Sequence, residues 1–305
     1  MRTTDFDFPF PESQIALRPL PRGEARLMVV PKTPGALPAG IPGRFEHTTS
    51  PSGPFAFGQA RDLVDLLQPG DALALNDTKV LRARLSGALE SGGACEVLLL
   101  KPRASDRPDA TLWECMARPG KKLQPGRSVS FGDGLRADVV EVLPEGERVL
   151  RFNRSGADFY DALDRIGNIP LPPYIKRDAD EADADTYQTV FAENPGSVAA
   201  PTASLHLSED MLAALEAKGV RLVKLTLHVG AGTFRPVQAE RIEDHPMHTE
   251  AYTLSDASAA ALNEARAHGG RIVAVGTTAA RVLETCAGDD GVLRAATGET
   301  GIFIY

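Results

Sequence analysis

Between residues 71 and 152 the apolar positions recur with a period of two. Leu81, Ala83 and Leu85 alternate with Arg82 and Arg84, so a strand over 80–85 has one apolar and one basic face. Further strands are predicted at 71–76, 94–100, 110–117, 127–131, 135–142 and 148–152. Turn chemistry separates them at Ser91-Gly-Gly93, Arg118-Pro-Gly120, Gly132-Asp-Gly134 and Pro144-Glu-Gly146. About seven short strands without a helix among them predict a small antiparallel barrel or sandwich, placed at 68–151.

On either side the pattern changes. Residues 1–58 are irregular and rich in Pro and Gly, with one strand predicted at 25–30. Apolar residues at 60, 63, 64 and 67 predict a short helix stopped by Pro69-Gly70. Beyond the strands, Ser155 caps a predicted helix carrying Phe159, Tyr160, Leu163 and Ile166 on one face. Residues 168–174 must be extended, because each proline biases its predecessor away from helix. The acidic run 178–185 reads as a solvated loop.

From Ser208 onward helix and strand alternate. Ser208 caps a helix that Lys218-Gly219 ends, and 220–229 is a strand. Ser255 caps a second helix ending at His268-Gly269, 271–275 is a buried strand, and Gly276 opens a third helix. The expected fold class is α/β: a larger α/β domain built from 1–67 and 152–305, interrupted by a small antiparallel β-barrel domain at 68–151.

Composition narrows the class without changing this plan. At 305 residues, 43% hydrophobic and 24% charged, the chain is that of a globular protein with ample core. Its first residues have no apolar core, and no run approaches the roughly 18 apolar residues of a membrane span. Cys95, Cys115 and Cys286 form no CxxC pair and read as reduced thiols in a cytoplasmic protein. The net charge of -8 argues against a nucleic-acid partner, yet residues 79–127 hold ten Lys/Arg against five Asp/Glu. A basic module in an acidic protein can still grip phosphates locally; a barrel with solvated cations is the plainer alternative.

Chemistry concentrates in residues 187–250, where four of the six histidines fall: His206, His228, His245 and His248. Val229-Gly-Ala-Gly-Thr-Phe234 follows a predicted strand. Arg235 stands where a dinucleotide fingerprint needs its third glycine, and Pro236 blocks an immediate helix. Gly230 and Gly232 fit either close approach of a ligand or an ordinary turn. Asp244-His-Pro-Met-His-Thr-Glu250 offers three metal ligands in His245, His248 and Glu250. Pro246 disfavours a helical HxxH, and in an extended segment 248 and 250 share a face that 245 does not. A His–Glu pair for proton transfer is therefore a second reading, and histidines satisfied by backbone partners are a third.

Two further runs suit anions. Gly276-Thr277-Thr278 places free N–H groups and hydroxyls at a helix start, for a carboxylate or phosphate or merely as a cap. Arg118-Pro-Gly-Lys-Lys122 sets three cations around a turn, as a phosphate contact or a solvated turn. No Ser-His-Asp order, P-loop or zinc-finger spacing is present.

Taken together these runs resemble one family, the S-adenosylmethionine:tRNA ribosyltransferase-isomerases of queuosine synthesis. The resemblance begins at Asp5-Phe-Asp-Phe8 and passes through 70–80, 83–85 and 118–122. It continues through 170–175, 187–191, 196–206, 226–234, 242–248 and 275–278. Ser204 and Leu207 stand where the family usually has glycine and phenylalanine. Relatives are expected to continue past Tyr305 into a segment with further core strands and another histidine.

The resemblance implies transfer and isomerisation of the ribosyl part of S-adenosylmethionine. The acceptor is a 7-aminomethyl-7-deazaguanine at the tRNA wobble position; epoxyqueuosine forms, and adenine and methionine leave. It implies no cofactor and no metal, since S-adenosylmethionine is consumed, and a cytoplasmic, monomeric enzyme with tRNA as partner and no membrane. On this reading His206, His228, His245 and His248 are acid–base candidates, with Glu250 orienting His248. Thr202, Gly230, Gly232 and Thr233 line the substrate pocket, Thr277 and Thr278 hold the methionine carboxylate, and Arg82, Arg84, Arg118, Lys121 and Lys122 meet tRNA phosphates. The alternatives are a metal-dependent hydrolase using His245, His248 and Glu250, and a non-catalytic RNA-binding protein.

Overall fold

The structure, a computed structural model, describes residues 1–32, 45–50, 53–105, 107–234 and 237–305. Arg235 and Pro236, which set their loop apart from a dinucleotide fingerprint in sequence, lie outside these residues. Near the N-terminus β1 (Arg26–Val29), β2 (Glu46–Ser50) and β3 (Gly53–Gln59) form an antiparallel sheet in the order β1-β3-β2. The helix expected over 59–67 is shorter: a 3-10 turn, Ala60–Asp62, and one α turn, α1 (Leu63–Leu66).

The next strand, β4 (Ala72–Asn76), departs from expectation. The alternation rule assigned it to the barrel, but it belongs to the larger sheet. The reason is burial on both faces. Ala72 and Ala74 pack into one core cluster and Leu73 and Leu75 into another, so no solvent face exists for the pattern to register. Three residues, β5 (Thr78–Val80), follow it.

The closed barrel itself has six strands: β6 (Arg84–Leu89), β7 (Ala94–Arg103), β8 (Thr111–Arg118), β9 (Ser128–Ser130), β10 (Arg136–Val142) and β11 (Arg148–Phe152). Their order is β10-β11-β8-β7-β6-β9, antiparallel where paired, with the short β9 bridging β10 and β6. Inward residues such as Leu85, Val97, Trp113, Val129 and Leu150 fill it. One end is plugged by α2 (Gly156–Ile166), whose Phe159 ring lies 5.9 Å from Trp113 and 5.0 Å from Phe152. Ser155 stands at its N-cap, but the hydroxyl donates to the Pro108 carbonyl at 2.7 Å rather than capping the helix.

The acidic run is not a free loop. Asp180 caps α3 (Glu181–Thr186) by accepting the Ala182 N–H, and Asp183 is buried in a two-pronged bond with Arg177, both arms at 2.6 Å. Two of its carboxylates, Asp180 and Asp183, are paired with Arg18 and Arg177, which lets the run pack as a helix rather than stay solvated.

The larger sheet is then completed. β12 (Asn194–Ser197) pairs in parallel with β5; α4 (Glu209–Ala217), β13 (Arg221–Leu227), β14 (Glu250–Leu254), α5 (Asp256–Ala267), β15 (Ile272–Ala274), α6 (Gly276–Cys286) and β16 (Ala296–Thr300) follow. Its order is β15-β4-β13-β14-β16, parallel across the first three and antiparallel beyond. Ser208 and Ser255 cap α4 and α5 as expected, at 3.2 and 3.1 Å. Alanines on β4 and on α5 and α6 let those two helices sit close on one face, while Leu73 and Leu75 meet α4 on the other. The molecule is thus α/β with an antiparallel barrel set between β5 and α2.

Candidate active site

The site forms where β4 and β13 end side by side. Asn76 donates to the Leu227 carbonyl at 3.0 Å, and its Oδ1 accepts the N–H groups of Leu227 and Thr78 at 3.0 and 3.2 Å. Asp77 accepts the Thr226 hydroxyl at 2.6 Å. All are buried, so the two strand ends are clamped by satisfied polar groups rather than by packing alone. Ligands of open α/β sheets gather at the carboxyl ends of parallel strands, and the buried polar residues Asn76, Asp77, Thr78 and Thr226 gather at the same place here.

A cavity of about 710 Å³ opens there between the barrel wall and the larger sheet. Trp113 and Lys101 face it from the barrel; His228, Gly230, His248 and Glu250 face it from the sheet. Two of the glycines along it, Gly196 and Gly232, make room for histidines. A Cβ on Gly196 would stand 2.7 Å from the His228 ring, and one on Gly232 would stand 2.3 Å from His248. Both distances are far inside van der Waals contact, so each imidazole lies against backbone that no other residue could supply.

His248 and Glu250 make the pair that the period-two argument allowed, Nε2 to Oε1 at 3.0 Å. The same Oε1 accepts the Gly230 N–H at 2.8 Å, and Oε2 accepts from the Arg281 guanidinium. Burial pushes the Glu250 carboxyl upward, but the His248 and Gly230 hydrogen bonds and the Arg281 charge outweigh it and hold the group below its ordinary range. An ionised carboxylate only accepts, so the shared proton sits on His248 Nε2, and in the neutral tautomer this fixes, Nδ1 carries the lone pair. Arg281 is itself tied down, with Nε donating to the Ile302 carbonyl and a terminal nitrogen to the Thr300 carbonyl, both at 3.0 Å.

A second cavity, about 370 Å³, lies on the other side of the 228–233 segment. It gathers Thr202, Thr233, Thr277 and Thr278 at the start of α6, whose first turn has no side-chain cap. The Thr278 hydroxyl is buried there without a partner among the described residues, and Gly276 takes a φ of +83° to turn the chain into the helix. The expected substrate residues are therefore divided: Gly230 and Gly232 face the first cavity and the four threonines the second.

Two histidines stand apart. His206 is exposed at the end of the 3-10 turn Thr202–His206, and His245 packs edge-on against Phe303 at 5.2 Å. Neither lines either cavity. Among the described residues no three His, Cys, Asp or Glu side chains are grouped as metal ligands would be, so the hydrolase alternative has no ligand set in His245, His248 and Glu250. Sequence reasoning passed over Asn76, Asp77, Thr78, Ser197 and Arg281. The Asn-Asp-Thr run closing an apolar strand was a usable signal, as was an arginine beside Ala279, Val282 and Leu283 in a helix.

On the barrel, Arg118, Lys121 and Lys122 are exposed around the 3-10 turn Gly120–Lys122. The buried Arg148 guanidinium holds that turn by donating to the Leu123 carbonyl at 3.0 Å and to the Gly120 carbonyl. Lys121, Lys122 and Arg127 share a groove of about 290 Å³. Arg84 instead pairs with Glu96 at 3.0 Å, and the half-buried Arg82 reaches the Gly167 carbonyl.

Similarity to known proteins runs along the whole chain. Residues 3–305 match the profile of the family described as queuosine biosynthesis protein. The chain is 49% identical over 311 aligned positions to the S-adenosylmethionine:tRNA ribosyltransferase-isomerase of Methylocella silvestris, covering 100% of this chain and 81% of that protein. It is 44% identical to the protein of the same name from Desulfitobacterium hafniense, covering 100% and 83%. Among solved structures it is similar to the S-adenosylmethionine tRNA ribosyltransferase of Thermotoga maritima, 27% identical over 99% of this chain and 79% of that one, with a TM-score of 0.43. The chain belongs to the S-adenosylmethionine:tRNA ribosyltransferase-isomerase family of queuosine biosynthesis proteins.

Proposed function

We propose that this enzyme transfers and isomerises the ribosyl moiety of S-adenosylmethionine onto the aminomethyl group of 7-aminomethyl-7-deazaguanine at a tRNA wobble position. Epoxyqueuosine is the product, and adenine and methionine are released. The observation that carries the reading is the His248–Glu250–Arg281 cluster facing a cavity beside His228, in a chain whose whole length matches the family.

The chemistry asks for what that cavity contains. The sulfonium acidifies the C5′ protons, so a base can remove one and leave an ylide. Adenine departs with a proton on nitrogen, and the acceptor amine loses a proton as it bonds to carbon. Each positioned acid–base group is worth about 10²–10⁴ in rate. His248, whose Nδ1 has no partner among the described residues and whose imidazolium Glu250 would stabilise, suits the base. Gly230 and Gly232 border the reacting sugar; Thr202, Thr233, Thr277 and Thr278 suit the methionine carboxylate in the second cavity. His206 and His245, outside both cavities, have no place in the acid–base set. No resident cofactor is needed, because S-adenosylmethionine is consumed.

The acceptor base must be splayed out of its loop, which an anticodon loop permits more cheaply than a duplex. Arg118, Lys121, Lys122 and Arg127 are taken as phosphate contacts; Arg82 and Arg84, engaged inside the fold, contribute less. We take the enzyme to act as a cytoplasmic monomer. Among the described residues no helix is long and apolar enough to cross a membrane.

Incubation with labelled S-adenosylmethionine and tRNA carrying the modified base tests the reaction. Free adenine in step with tRNA labelling is expected; its absence removes the proposal and leaves an RNA-binding protein. For the Lys121→Ala/Lys122→Ala variant, the slope of log affinity against log salt should shallow by about 0.7–0.9 for each phosphate no longer neutralised. An unchanged slope would show that this turn does not touch tRNA.

A further inference from the structure

His228 is held differently from His248. Its Nδ1 lies 2.8 Å from the Thr78 hydroxyl, which lies 2.9 Å from the Ser197 hydroxyl, which accepts the Val229 N–H at 2.7 Å. Thr78 and Ser197 are fully buried, and His228 Nε2 has no partner among the described residues and borders the cavity. The protons of this chain can be counted. If Ser197 donates to Thr78 and Thr78 donates to Nδ1, every hydroxyl hydrogen has an acceptor and the imidazole proton sits on Nε2. If Nδ1–H donates to Thr78 instead, the two hydroxyls have only the bond between them to share. Whichever of them donates it, the other's hydrogen points at no acceptor among the described residues. Buried hydroxyls are rarely left that way. An imidazolium, with both nitrogens protonated, forces the same unfavourable order.

We propose that the Thr78–Ser197 hydroxyl pair fixes His228 as a neutral imidazole with its proton on Nε2, a hydrogen-bond donor to an acceptor atom of the sugar or departing base. Burial of the ring pushes its pKa down, against the opposing pull of Asp77, in the same direction. The two histidines then face the cavity with opposite equipment: His248 presents a lone pair, His228 an N–H. Thr78 and Ser197 are positioning residues. The identity of the acceptor atom rests on the reaction proposed above; the tautomer does not.

Long-range ¹H–¹⁵N correlation spectra of histidine-labelled protein at pH 7 test this directly. The wild type should show His228 as the Nε2–H tautomer. Thr78→Val should move those signals toward the mixed tautomers of a free imidazole, Thr78→Ser should retain the wild-type pattern, and the His248 signals should stay in place in both. A wild-type His228 protonated on Nδ1, or charged, overturns the proposal, as does a Thr78→Val spectrum unchanged at His228. In turnover, His228→Gln keeps an N–H donor and should retain at least tenfold more activity than His228→Ala, whereas equal losses would show that the ring transfers protons itself. Absence of adenine release by the wild type would count against the reaction and leave the tautomer result standing.

Discussion

Glu250→Gln should lower turnover by about 10²–10⁴ while leaving the chain folded. The substitution changes little in shape and much in hydrogen bonding. Oε1 now accepts from both Gly230 N–H and His248 Nε2–H, and Oε2 accepts from Arg281. An amide can offer its oxygen to only one side. With the oxygen toward Gly230, the NH₂ group confronts the Arg281 donors. With the oxygen toward Arg281, the NH₂ group meets two donors and drives the His248 proton from Nε2 to Nδ1, abolishing the lone pair. Either way the imidazolium loses its counter-charge. Single-turnover adenine release reads the effect, and a variant within threefold of wild type would take Glu250 out of the reaction.

The same carboxyl gives a pH signature. Its folded pKa lies below the ordinary glutamate value of 4.5. The stability it contributes is therefore fully present above about 4.5 and is lost as pH falls through the lower folded value. The gap in melting temperature between wild type and Glu250→Gln should narrow on acidification through that window.

How much of this could be read from residues alone depended on range. The barrel was legible because half-buried antiparallel strands print their inward residues at every second position, as Leu85, Val97 and Val129 do. β4 printed nothing of the kind, being buried on both faces, and was assigned to the wrong sheet. The pairing of His248 with Glu250 was legible because two residues in an extended segment share a face. The hydroxyls on His228 were not, since Thr78 and Ser197 reach it across 150 and 31 positions. Histidine clustering in sequence likewise overstated the site. His206 and His245 are near the others along the chain, but tight turns carry them away from the cavity. Of the two readings given for Gly232, the missing Cβ does mark close approach, here of the protein's own His248 imidazole.

Arg281→Met is expected to cost about 3–5 kcal/mol of stability, because it leaves the Glu250 carboxylate buried without its cation. The pair is deeply enclosed, with 7% of the arginine side chain and 3% of the glutamate exposed. The Thr300 and Ile302 carbonyls lose their donor as well, so the end of β16 loosens from α6. Turnover should fall with it, since Glu250 would tend to take up a proton and could no longer favour a protonated His248. Loss of stability and loss of chemistry are separable by removing the second charge. Replacing a buried ion pair by neutral groups is often nearly neutral, whereas breaking one is not. The double variant Arg281→Met/Glu250→Gln should therefore regain much of the melting temperature lost in Arg281→Met, yet remain as inactive as Glu250→Gln. A double variant no more stable than Arg281→Met would mean that the arginine acts through the β16 carbonyls and not through Glu250. Recovery of stability without recovery of adenine release would instead assign the ion pair to both tasks: holding α6 against the sheet, and keeping a carboxylate charged where His248 must accept a proton.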